Sequence, residues 1–211
     1  MIISAAAAEE IARNTANFPT NRKWNSKDLD KRFRSIFGAS SELVANLWNR
    51  IDDGGLEAGA GPEHLLWGLV FLKVYSAEEA HCAIAGWPAA KTFRKWSWYF
   101  VEKIASLKPE VIVLGNRFDG WPNGIVTTNC FISVGGTDCP VYEPWPFHKS
   151  WFSKKFNGPA LKYEVAVCIK TGYIVWVNGP FKGSTNDGTI FKDGLQLLLC
   201  ADEAEIGRAH V

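Results

Sequence analysis

The period of the hydrophobic pattern changes part-way along the chain, and that change limits the folds open to it. Phe93, Trp96, Phe100, Ile104 and Leu107 fall at steps of three, four, four and three, which is one stripe along a helix. Beyond about residue 109 the pattern alternates instead. Tyr163, Val165, Val167 and Ile169 are every second residue, and Tyr173 to Val177 is another β-rich run. Thr171-Gly172 between the two runs is a hairpin signal. Helical periodicity followed by strand periodicity predicts an α+β chain with its helices and strands segregated.

Within the helical half, Ser26 is placed to cap a helix running to about Phe37, and Ser40 or Ser41 the next. A Gly-rich loop over 52–62 precedes a helix from Glu63 to Tyr75 that is apolar nearly all round and so calls for burial on several sides. Ser76 and Glu79 form a capping box for a short helix ending near Ala85. Gly86 suits a left-handed cap, and Pro88 the first turn of the helix that bears the Phe93 stripe. A short helix, a tight turn and a longer helix make a helix-turn-helix-like arrangement. Lys91, Arg94 and Lys95 lie off the stripe, either as a solvated face or as phosphate contacts. Residues 1–24 are expected as a flexible arm, 25–115 as the helical domain and 120–204 as the strand-rich one. The first strand of the latter is expected from Ile125 to Val134, after a turn at Trp121-Pro-Asn-Gly. A last helix is expected from Thr189 to Cys200.

The net charge is +1, from 23 Lys and Arg against 22 Asp and Glu, which excludes a uniformly basic nucleic-acid coat and leaves room for a local basic face. No apolar run reaches the ~18 residues of a membrane span. Met1 to Ala8 lacks the basic start of a signal peptide. The five cysteines show no CxxC spacing, so zinc is not indicated, and scattered thiols predict an intracellular setting. Ten tryptophans point to an aromatic-rich core.

The chain has no GxSxG, Walker or HExxH motif. What remains is carboxylates at element ends. Asp138 is expected to close the first strand, and Asp187 to open the last helix. Carboxylates converging from different elements offer the hard oxygen ligands that Mg²⁺ or Mn²⁺ takes, and such ions can clamp an in-line phosphoryl displacement. The plainer readings are a helix N-cap for Asp187 and a turn residue for Asp138.

Phe131-Ile-Ser-Val-Gly-Gly-Thr-Asp-Cys-Pro-Val-Tyr-Glu-Pro-Trp-Pro-Phe147 resembles the opening of the PIF/Harbinger-type DDE superfamily endonucleases. So do Trp151-Phe-Ser-Lys-Lys-Phe156, Lys162-Tyr-Glu-Val165, Ile169-Lys-Thr-Gly172 and Asn178-Gly-Pro-Phe-Lys-Gly-Ser-Thr-Asn-Asp187. Upstream, Lys31-Arg-Phe-Arg34, His64-Leu-Leu-Trp67, Phe71-Leu-Lys-Val-Tyr75, Gly86-Trp87 and Lys91-Thr-Phe-Arg-Lys-Trp96 look like the segment preceding these nucleases. The resemblance spans roughly residues 28–200. It implies an RNase H-like core, here its first half, that holds divalent metal through acidic residues and cuts or joins DNA. Asp187 matches the acidic residue after the hairpin.

Two departures stand out. The position of the strand aspartate is Gly135, which has no side chain to hold a metal. Asp138 lies an odd step away, so it would need a bulge or bend to substitute. The downstream segment that brings the remaining Asp and Glu is not seen, and residues 205–211 are expected to be a non-native tail. Asp187 and Asp138 are the candidate catalytic and metal residues. Lys91, Arg94, Lys95, Lys154 and Lys155 are the candidate nucleic-acid contacts. The expectation is a nuclear, transposase-derived metal-dependent DNA endonuclease, inactive as given, with DNA and a DNA-binding protein as partners. The alternative is a non-catalytic DNA-binding or adaptor protein. Lys162 flanks the site, and Trp145, Trp151 and Trp176 are expected in the core rather than stacked on bases.

Overall fold

The computed structural model describes residues 2–15, 26–52, 54–74, 76–121, 130–200 and 203–207. It is a mixed α+β chain whose contacts divide it into two compact units, Met1–Leu107 and Lys108–Val211.

Among its described residues the first unit holds six helices: α1 (Ala5–Thr15), α2 (Ser26–Phe37), α3 (Ser41–Asp52), α4 (Pro62–Lys73), α5 (Glu78–Ile84) and α6 (Ala90–Ser106). The apolar run of α4 is buried without a break from His64 to Val70. Gly68 is where α6 comes closest. A Cβ there would lie 3.2 Å from the Cβ of Phe100, so the pair packs at this distance only with glycine. Phe93, Trp96 and Phe100 of the α6 stripe are buried, with Ile104 and Leu107 packed against the same core. Gly86 turns the chain between α5 and α6 at φ 84°, the left-handed region in which glycine is unstrained.

Two local expectations change here. Residues 5–15 are a helix, not an arm. Ala8 and Ala12 are fully buried, and Asn49 clamps the backbone of Ile3 through two hydrogen bonds of 2.8 and 3.0 Å. Alanines carry a weak hydrophobic signal but permit close helix approach, which is why composition alone understates this segment. Residues 16–24 lie outside the described residues. At α5 the N-cap is Ala77 with no side-chain cap, so the Ser76/Glu79 capping box does not form.

The second unit begins with a one-turn helix, α7 (Lys108–Val111), and a 3₁₀ turn at Leu114–Phe118. Strands β1 (Cys130–Pro140), β2 (Phe152–Ser153), β3 (Gly158–Cys168) and β4 (Ile174–Lys182) follow, then α8 (Asp187–Asp193), a 3₁₀ turn at Leu195–Leu198 and β5 (Ala204–Gly207). β3 is central, antiparallel to β1 on one side and to β4 on the other, with β2 pairing its start. β5 runs parallel to β1.

The first strand continues through Gly135-Gly136 to Pro140, past the expected end at Val134. Its register with β3 is unbroken from Ile132 to Pro140. The expected turn at 122–124 and strand start at 125–129 lie outside the described residues. The last helix is shorter than its periodicity suggested, because Gly194, at φ −126° and ψ −99°, leaves the helical conformation and ends α8. Residues 204–207 pair with β1 and so belong to the sheet, although 205–211 were expected as a non-native tail; 208–211 lie outside the described residues. Glu203 just before β5 accepts from Arg117 (Nε to Oε1, 2.7 Å), both side chains being almost wholly buried.

Candidate functional site

The register of β1 on β3 sets the site. Asp138 lies directly across from Lys162, and Gly136 across from Glu164. Opposed residues of an antiparallel pair project to one face, so Gly136, Asp138, Lys162 and Glu164 share a side of the sheet. α8 delivers Asp187 to that side. The helix is capped by Asn186, whose Oδ1 accepts from the Gly188 N–H at 2.8 Å. Asp187 is therefore not the cap, and its carboxylate is free for other contacts.

That carboxylate lies against β1 at Gly136. A Cβ on Gly136 would come within 2.8 Å of Asp187 Oδ2, so any larger residue there would push the carboxylate from this seat. Asp187 Oδ1 pairs with Lys162 Nζ at 2.8 Å, and the same ammonium donates to the Thr185 carbonyl at 2.7 Å. The Lys162 side chain is only 13% exposed, so its charge sits inside the cluster. Lys162 thus belongs to the centre of the site that sequence reading put it beside.

Asp138 lies within a strand rather than a turn. Its Oδ2 accepts from Ser153 Oγ at 2.5 Å, and its Oδ1 is buried without a hydrogen-bond partner. It reaches the Asp187 side by an even step from Gly136, with no bulge. No bulge is needed, because the β1 residue that faces Asp187 is Gly136 and not Gly135. Gly135 points to the opposite face, where a Cβ would meet nothing within 4 Å.

Glu164 is a further member, one that the sequence pattern alone gives no role. It is buried, and its Oε2 accepts from Trp176 Nε1 at 2.9 Å. Burial pushes its carboxyl above the usual glutamate range, and the charge of Asp187 adds to this, while the Trp176 and Asn178 hydrogen bonds act against it. The available signal was alternation. Glu164 shares its parity with Lys162 on one side and with the buried Ala166 and Cys168 on the other, an acid at the edge of a small, apolar stretch.

Gly135, Gly136, Lys155, Tyr163, Glu164 and Asp187 contribute to a cleft of about 480 Å³. Lys155 Nζ donates to the Gly136 carbonyl at 2.9 Å, and Lys154 is exposed. In the helical unit, Arg94 is held by Glu78 (Nε to Oε1, 2.9 Å; Nη2 to Oε2, 2.5 Å). Lys95 pairs with Glu57 at 2.5 Å while lying over the Trp96 ring, and Lys91 is exposed. Two of the three cations expected to meet phosphate are thus already matched to carboxylates. Trp176 is half-buried over the cluster, and Trp151 is half-buried near Lys182. Trp145 is 94% exposed, a correction to its expected place in the core.

The donor set fits a tightly held Mg²⁺ or Mn²⁺ poorly. Lys162 already supplies a cation to Asp187. One Asp138 oxygen is engaged by Ser153, and among the described residues no three His, Cys, Asp or Glu side chains are grouped to hold a metal. No helix among the described residues is long and apolar enough to cross a membrane. Compared with protein-family models, curated proteins and solved structures, the chain matches none.

Proposed function

We propose that the chain derives from a PIF/Harbinger-type DDE transposase and binds DNA without cutting it. Three antiparallel strands, a helix and then a strand parallel to the first make the order expected of an RNase H-like core. The observation that carries the reading is the position of Asp187. The acidic residue singled out by the resemblance rests on β1 beside Gly136 and completes its charge with Lys162 rather than with further carboxylates. An ammonium neutralises the carboxylate but has no open coordination positions for water or phosphate, so the cluster positions the α8 start against the sheet instead of activating a nucleophile. Gly135, on the other face, adds no ligand.

The test is nicking of supercoiled plasmid with Mg²⁺ or Mn²⁺, beside duplex binding in a metal chelator. The expected result is no metal-dependent nicking together with salt-sensitive duplex binding. Metal-dependent nicking that disappears in Asp187→Ala would return the chain to the nucleases.

A further inference from the structure

The connection from Val141 to Phe156, a loop interrupted by the two residues of β2, leaves β1 at the end that carries Asp138 and comes back to it. Val141 N–H donates to the Pro159 carbonyl at 3.1 Å, Ser153 Oγ to Asp138, and Lys155 Nζ to the Gly136 carbonyl. Six of its sixteen residues are aromatic, and several of them face solvent: Trp145 is 94% exposed, Tyr142 86% and Phe156 50%. Apolar rings held in water mark an interaction surface. Pro144 and Pro146 flank Trp145 and restrict the backbone, so little ordering entropy remains to be lost when the ring is covered. The loop's Lys, Arg, Asp and Glu side chains are Lys149, Lys154 and Lys155 against Glu143 alone.

We infer that this loop is a docking surface for single-stranded nucleic acid, with Tyr142 and Trp145 as stacking platforms and Lys149, Lys154 and Lys155 along the backbone path. The combination decides the occupant. Lysine is depleted in the cores of protein–protein interfaces, whereas rings interleaved with lysines fit unstacked bases joined by phosphates. In a duplex the base faces already cover one another, so an exposed indole gains little from it. The inference rests on the DNA-binding reading above and narrows it to strands opened near the Asp138 end of the sheet.

The experiment is fluorescence anisotropy in a metal chelator with a labelled single-stranded oligonucleotide and the matching duplex. The full chain is compared with Trp145→Ala, Tyr142→Ala and the pair Lys154→Ala/Lys155→Ala. Each aromatic variant is expected to lose about tenfold in single-strand affinity and less than about twofold on the duplex. The lysine pair is expected to weaken both and to flatten their salt dependence. Because Trp145 is almost fully exposed, its variant keeps the wild-type circular dichroism spectrum. Unchanged single-strand affinity in Trp145→Ala, with duplex binding intact, overturns the inference and leaves the broader reading standing. Absence of binding to either probe by the unaltered chain overturns both. Self-association of the unaltered chain that Trp145→Ala abolishes, with single-strand affinity unchanged, assigns the loop to a second copy and overturns the inference.

Discussion

The helical unit and the sheet unit spend their side chains differently. Among the described residues the helical core contains nineteen buried apolar side chains, with rings such as Phe33, Phe37, Trp48, Phe93 and Phe100. The sheet core has five: Ile132, Ala166, Cys168, Val175 and Leu195. The sheet unit instead buries charge. Arg117 and Glu203 pair almost out of reach of water, Glu164 lies under Trp176, and Lys162 sits against Asp187. In the helical unit the Arg94–Glu78 and Lys95–Glu57 pairs lie at the surface, where such contacts are worth ~0–1 kcal/mol. The lesson is that the helices are held by volume and the sheet by matched polar groups. The second kind of stability is directional, sensitive to pH, and suited to a site.

The largest expected effect tests that contrast directly. Phe100→Ala empties a fully buried position and should cost about 3–5 kcal/mol in urea unfolding, with amide-exchange protection lost first in α4 and α6. Leu195→Ala, also fully buried but in the smaller core, should cost nearer the low end of ~2–5 kcal/mol. A greater loss from Leu195→Ala would break the comparison.

Next in size is Arg117→Ala, which leaves the Glu203 carboxylate buried without its partner and should cost about 3 kcal/mol at neutral pH. Burial alone would raise Glu203, but the Arg117 hydrogen bonds, the Cys200 N–H and the guanidinium charge outweigh it and hold the carboxyl below the ordinary value of 4.5. A depressed acid contributes stability above its unfolded value and loses it as pH falls through the folded one. The unaltered chain should therefore weaken below about pH 4.5, and Arg117→Ala should flatten that fall in a series of thermal melts.

The smallest effect sharpens the comparison from the other side. Glu164 is raised rather than lowered, so it favours folding at low pH and opposes it as pH climbs from 4.5 through its folded value. Glu164→Gln keeps an oxygen for Trp176 Nε1 and removes the buried charge. It should raise stability by about 1 kcal/mol or less at pH 7 and leave it unchanged near pH 4. A loss at pH 7 would mean that the carboxylate charge itself holds the cluster together.

How much of this was readable beforehand follows the range of the forces involved. The helix from Ser26 to Phe37, the Phe93 stripe and the Gly86 turn depend on neighbours within a few positions, and all are visible as spacing. The hairpin at Thr171-Gly172 is equally local, and Gly172 takes the left-handed turn conformation at φ 74°. α1 was missed because alanine carries little hydrophobic weight until its small size is used against a neighbouring helix. In the site, Asp187 and Asp138 were legible as acids at the right places, but their relation was not. Lys162 looked like a flanking surface cation, Glu164 carried no role, and Gly135 seemed to be the vacant metal position when Gly136 is the residue that faces Asp187.

From its residues alone, this chain determined that a helical half precedes a strand-rich one, and roughly where α2, α3, α4 and α6 lie. These follow from hydrophobic period and backbone preference, which act over a turn or a pleat. Only the tertiary structure decided which charges meet. The meeting of Lys162 with Asp187 and the seating of Asp187 on Gly136 depend on strand register and on where α8 docks, and a shift of one residue along β1 or β3 would send their side chains to the opposite face.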